Sequence, residues 1–99
     1  MAVIATDPVR AEAVSQILKA LGHPLRIRII SLLASDGERH VGGLAEHLEV
    51  QQPIISQHLR ILRMSHLVSS TRRDGFAWYA LAEPKLVDLL GCLEGCRLH

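Results

Sequence analysis

The sequence predicts a mainly α-helical domain that carries one small β-hairpin. Three observations lead there. Apolar residues recur at helical spacing in five stretches, four of which open on or next to a proline (Pro8, Pro24, Pro53 and Pro84). Residues 67–81 switch to β-branched and aromatic side chains on either side of Arg73-Asp74-Gly75, a strong hairpin signal. Finally, 99 residues with 48% apolar and 21% charged side chains suit a single globular unit over residues 1–99, with one modest core.

The first helix fits residues 8–22. Asp7 is placed to cap it, Pro8 to start it and Gly22 to stop it, with Val14, Ile17, Leu18 and Leu21 as its apolar stripe. The second fits residues 24–35, from Pro24 to Ser35 before Asp36-Gly37. Its Leu25, Ile27, Ile29, Ile30, Leu32 and Leu33 leave little polar face, so it is expected to be central. A buried strand is the alternative there, and the length and the proline start favour a helix. A short third helix suits residues 41–49 with Leu44, Ala45 and Leu48 inward, and a fourth runs from about Gln52 to Ser65. The strands of the hairpin span 67–71 and 76–81. The last helix covers 83–98, weakened by Gly91 and Gly95. Phe76, Trp78 and Tyr79 are the only aromatic residues, so aliphatic side chains must fill nearly all of the core. A core of this size often relies on oligomerisation.

Charge is distributed unevenly. The chain has a formal charge of only +1, yet residues 51–73 contain Arg60, Arg63, Arg72 and Arg73 and no carboxylate; that window carries +4 and the remainder −3. On a helical wheel Gln52, Arg63, Ser56, Arg60, Met64 and Gln57 fall within an arc of about 140°. Ile54, Ile55, Leu59, Ile61 and Leu62 take the other side, with His58 among them as a packed residue rather than a base reader. Two short helices joined by a tight turn, the second with a face of amides, hydroxyls and guanidinium groups, make a helix-turn-helix. Such a helix fits the major groove, where amides and arginine forks pair with base edges, while serine and arginine also bind phosphate. Gln52, Ser56, Gln57, Arg60 and Arg63 are the candidate DNA contacts, with Arg72 and Arg73 on the hairpin as a second arm for backbone or minor groove. A helix-turn-helix followed by a hairpin is a winged helix.

From about Ile17 to Leu98 the chain resembles the ArsR/SmtB winged-helix repressors. The matching pieces are ALGHPLRIRIISLL, VGGLAEHL, IISQHLRILRMSHLV, RRDG and YAL, in that order. The resemblance implies a homodimer joined through its first and last helices, repressing an operon for metal, metalloid or redox response and releasing double-stranded operator DNA when an inducer binds. The Cys-x-Cys pair that many members carry at the start of the third helix is replaced here by His40 and Gly42. In members that bind metal between the last helices, the ligand positions correspond here to Glu83, Lys85, Cys96 and His99, and a protonated Lys85 is no ligand. Persulfide-sensing members pair a cysteine of the second helix with one of the last, and the second helix here offers Ser31. His66 matches a position through which some members couple sensing to the DNA-binding head; otherwise it is an ordinary loop histidine.

Cys92, Cys96 and His99 form one stripe on a continuous last helix. Thiolate and imidazole together suit zinc, nickel or cadmium, and two thiols with a third ligand suit arsenite, with Glu83 of a second protomer as a further donor. The alternatives are two small apolar packing residues and a free terminal histidine, or a regulator without a metal site that is controlled by thiol redox or a partner protein. His23 and His47 are expected at the surface or as caps. No Ser/His/Asp set, phosphate loop or carboxylate pair points to an enzyme. A pure interaction module is distinguished from a repressor by salt-dependent duplex binding. No apolar run approaches membrane-spanning length and MAVIATDPVR lacks the features of a signal peptide, so a cytoplasmic protein without membrane contact is expected.

Overall fold

The computed structural model describes residues 2–96. Its elements in chain order are α1 (Ala2–Ala5), α2 (Pro8–Leu21), α3 (Pro24–Asp36), β1 (Arg39–His40), α4 (Val41–Leu48), α5 (Gln52–Met64), β2 (Val68–Arg73), β3 (Phe76–Leu81) and α6 (Lys85–Glu94). The prolines act as expected: Pro8 and Pro24 begin their helices, Pro53 sits in the first turn of α5, and Pro84 caps α6. The Asp7 carboxylate accepts from the Val9 and Arg10 amides, both at 3.1 Å.

The hydrophobic centre forms where α3 passes beneath α5. Ile29, Ile30, Leu44, Ile55, Leu59 and Leu62 are fully buried, and no polar or charged residue is buried among those described. Leu86 and Leu90 bring α6 back against α3. The second helix is thus central as expected, apart from Ile27 on its outer side. On α2 only Ala20 and Leu21 are buried; Val14, Ile17 and Leu18 are 38%, 37% and 54% exposed. The stripe exists, but most of it faces outward.

The wing is a three-stranded antiparallel sheet in the order β1-β3-β2. The two-stranded expectation gains β1, whose two residues pair Arg39 with Tyr79 and His40 with Trp78. Two residues are too few to show a period in sequence. At the hairpin tip Asp74 and Gly75 have φ of 52° and 83°, the two positive values that a type I′ turn requires. The last helix is shorter than the expected 83–98. It ends at Glu94: the Gly95 amide is shared between the Gly91 and Cys92 carbonyls, and the Cys96 amide bonds to the Leu93 carbonyl in a tight i→i−3 turn. Cys96 therefore lies past the helix end. Among the described residues no helix is long and apolar enough to cross a membrane.

Leu59→Ala should remove about 2–5 kcal/mol of stability in urea denaturation, because a fully buried leucine leaves both lost transfer energy and a cavity. Ile61→Ala, two positions along the same helix but 40% exposed, should cost less than about 1 kcal/mol.

Candidate nucleic-acid interface

The turn between α4 and α5 is closed by local bonds. Glu49 ends α4 in the left-handed conformation with φ 58°, its amide reaching back to Ala45 and Glu46, and the Val50 amide bonds to the Ala45 carbonyl at 3.0 Å. Val50 packs against the core and turns the chain into α5. With Ile55, Leu59 and Leu62 fixed inward, helical geometry turns Gln52, Ser56, Gln57, Arg60 and Arg63 outward, and all five are exposed. Among the described residues none of these five side chains has a hydrogen-bond or salt-bridge partner. No carboxylate belongs to α5. Unpaired donors of this kind in a cationic setting suit base edges and phosphates.

The two wing arginines are not equivalent. As neighbours on β2 they point to opposite faces of the sheet, with Arg72 across from Ala77 and Arg73 across from Phe76. The Arg73 guanidinium pairs with Glu38 and lies over the Trp78 ring, 4.9 Å from its centroid. Arg72 donates to the Gly75 carbonyl at 3.4 Å and lines a cleft of about 340 Å³ shared with Gln52, His40 and Gly42. The wing and the start of α5 thus meet at one place. His40 forms the wall: its Nδ1 accepts from the Gly43 amide at 3.1 Å, capping α4, and its ring lies at 87° to that of Trp78 with centroids 4.9 Å apart.

On the other flank of α5, His58 is half-buried, as its place on the apolar arc implied. Arg26 donates from Nη1 to His58 Nδ1 at 3.2 Å, from Nε to the Ala20 carbonyl at 2.5 Å and from Nη2 to that of Lys19 at 3.5 Å. His23 lies 4.5 Å from His58, ring to ring, and accepts the Leu25 amide on Nδ1 as the cap of α3. Burial, and then the neighbouring His23 and Arg26, hold the His58 imidazole below its ordinary pKa. Sequence reasoning gave neither Arg26 nor Glu38 a role. Their partners lie 32 and 35 positions away, and nothing local announces such pairings.

The residues proposed to bind metal are not brought together among those described. Cys92 and Cys96 are both free and exposed, and the Cys96 thiol donates to the Cys92 carbonyl at 3.5 Å. Glu83 is occupied at the start of α6, where its carboxylate accepts the Lys85 amide at 3.1 Å. His99 lies outside the described residues. No group of three His, Cys, Asp or Glu side chains able to hold a metal occurs among those described, and two thiols fall short of the three or four donors that zinc takes. Ser31 lines a groove between α3 and α6, together with Leu90 and Glu94. His66 is exposed with φ 62° and closes α5; beyond it the Leu67 amide bonds to the Leu62 carbonyl at 3.0 Å.

Residues 23–70 match the profile of the arsR family of bacterial regulatory proteins. The chain is 37% identical over 84 residues to the biofilm growth-associated repressor of Xylella fastidiosa, covering 85% of this chain and 73% of that one. The crystal structure of the transcriptional repressor BigR from Xylella fastidiosa superposes with a TM-score of 0.79 at 35% identity, over 91% of this chain and 93% of the other. A winged helix-turn-helix DNA-binding domain from Mycobacterium bovis, described as homodimeric and as a possible ArsR-family regulator, gives 0.79 at 26% identity over 90% and 82%.

Proposed function

The chain belongs to the arsR family of bacterial regulatory proteins, and on that premise we propose that it is a homodimeric repressor that reads duplex operator DNA with α5 and braces it with the wing. The observation that carries this reading is the outer face of α5, where five polar or cationic side chains are exposed and unpartnered and no carboxylate intervenes. Gln52, Ser56 and Gln57, in the first two turns, read base edges, and Arg60 and Arg63 hold phosphates. Arg72 joins Gln52 across their shared cleft and meets the backbone. Arg73 contributes once it exchanges Glu38 for a phosphate, and His66 couples α5 to the wing through the tight turn that it closes.

The dimer reading is supported by aliphatic surface that the monomer leaves uncovered: Val9, Val14, Ile17 and Leu18 on α2, with Val87 and Leu93 on α6. The homodimeric Mycobacterium bovis domain supports it too. Two-fold symmetry would set two α5 helices against a pseudo-palindromic site.

Signal reception is assigned to Cys92 and Cys96. In the first reading they bind a thiophilic ion (zinc, nickel, cadmium or arsenite) together with His99 and Glu83 of the second protomer, and the ion alters the packing of the last helices. A second reading, favoured by the finding of only two exposed thiols among the described residues, is control by thiol oxidation with no metal.

Four outcomes are expected. A duplex selected from a random pool should bind with affinity that falls steeply with salt. Arg72→Ala should weaken selected and random duplexes alike and flatten that dependence, whereas Gln57→Ala should erode discrimination by ~1–3 kcal/mol; equal loss of specificity in both would refute the division of labour. Sedimentation at micromolar concentration should give a dimer, and a monomer would overturn the two-fold reading. Cys92→Ser/Cys96→Ser should abolish DNA release by whichever of zinc, nickel, cadmium or arsenite releases the wild type. Release by oxidant alone selects the second reading.

A further inference from the structure

The corner where α2, α3 and α5 meet holds two imidazoles and one guanidinium in an arrangement that only neutral imidazoles can keep. Arginine has donors and no acceptor, so the 3.2 Å contact from Arg26 Nη1 requires an unprotonated Nδ1 on His58. A peptide N–H likewise only donates, so the Leu25 amide at 3.1 Å requires an unprotonated Nδ1 on His23. The two rings are 4.5 Å apart at 44°. A proton taken up from water at His58 Nδ1 removes the acceptor of the Arg26 bond and sets cation against cation; a second one on His23 removes the cap of α3 and adds a third charge.

We propose that His23, Arg26 and His58 form a proton-sensitive latch that holds α5 in its DNA-reading position at neutral pH and lets go on acidification. The proposal rests on the reading of α5 as the DNA-reading helix. His58 is the member on α5 itself, and Arg26 ties it to the carbonyls of Ala20 and Lys19 at the end of α2. Among the described residues, His23 from the α2–α3 corner and Arg26 from α3 are the groups whose charges bear on His58. The helix α4 and strand β2, which also pack on α5, add none.

The sign follows from linkage. Burial, and then the neighbouring His23 and Arg26, lower the folded pKa of His58, so the unfolded chain takes up its proton first. The latch contributes fully above the ordinary imidazole value of about 6.5 and is lost as pH falls from there through the lowered folded value. This opposes the general trend, because histidines that gain charge elsewhere on a protein strengthen its attraction to DNA.

The test uses the full chain and the selected duplex at constant ionic strength, with fluorescence anisotropy at about pH 7.5, 6.5 and 5.5. Wild type should lose about tenfold or more in affinity across that range. His58→Gln keeps an acceptor for Arg26 and cannot be protonated, so it should lose about twofold or less, while His47→Gln, an exposed histidine on α4, should follow the wild type. A flat or rising wild-type profile, or a His58→Gln profile as steep as wild type, overturns the proposal. NMR titration of the wild-type histidines tests it independently of any variant: His58 should titrate below the ordinary imidazole value, and a His58 value at or above about 6.5 overturns the latch. Should no duplex bind at any pH, it is the DNA reading that fails. The latch is then judged by thermal melting, which should fall with acidification in wild type and stay level in His58→Gln; parallel melting profiles overturn it.

Discussion

The position of α5 relative to the rest of the domain depends on how its buried face is held, and two interactions of different character hold it. Beneath it lie Ile55, Leu59 and Leu62 against Ile29 and Ile30 of α3, aliphatic throughout. Such packing is strong but weakly directional, and a core of this kind tolerates rearrangement if volume is kept. Direction comes from Arg26. One half-buried guanidinium is bonded to the carbonyls of Lys19 and Ala20 and to His58, so it fixes α2, α3 and α5 at once. The aliphatic contacts determine that α5 is buried along one side, and the arginine favours one orientation among those the contacts allow.

The architecture was legible because its signals are local. Pro8, Pro24 and Pro53 at the helix starts, Asp7 as a cap and Asp74-Gly75 at the hairpin act within a few residues of themselves. The outward face of α5 was legible for the same reason, since a helical wheel needs no knowledge of the rest of the chain. What escaped was non-local. Strand β1 exists because β3 offers Trp78 and Tyr79 as partners, and the bonds of Arg73 to Glu38 and of Arg26 to His58 join residues brought together only by the fold. The end of α6 escaped for another reason: glycines at 91 and 95 weaken a helix without fixing where it stops, and here it stops at Glu94, before Cys96. The expected stripe of Cys92, Cys96 and His99 assumed a continuous helix; Cys96 lies past the end of α6, and His99 lies outside the described residues.

The distribution of carboxylates follows one pattern. Asp36 pairs with Arg39 at 2.8 Å and, held by hydrogen bonds from Ser35 and Arg39, titrates below the usual carboxylate range; Glu38 pairs with Arg73. Asp36 ends α3 and Glu38 follows it just before β1, so both acids sit beside the wing and neither belongs to α5. Exposed pairs of this kind add little stability. Their effect is on electrostatics: they temper one side of the sheet and leave the guanidinium groups of α5 unopposed. The same placement ranks the two wing arginines, because Arg73 must give up a carboxylate to engage another anion and Arg72 only a single carbonyl.

Trp78 is the only tryptophan in the chain, and it stands where β1, β3 and the start of α4 meet. His40 stands beside the indole, the guanidinium of Arg73 is over the ring, and His40 in turn caps the helix that leads into the turn before α5. Indole emission responds to nearby charge and to water. The protein therefore carries its own optical gauge where the wing meets the rest of the domain, one that needs no label and responds in emitted light when Arg73 leaves the ring.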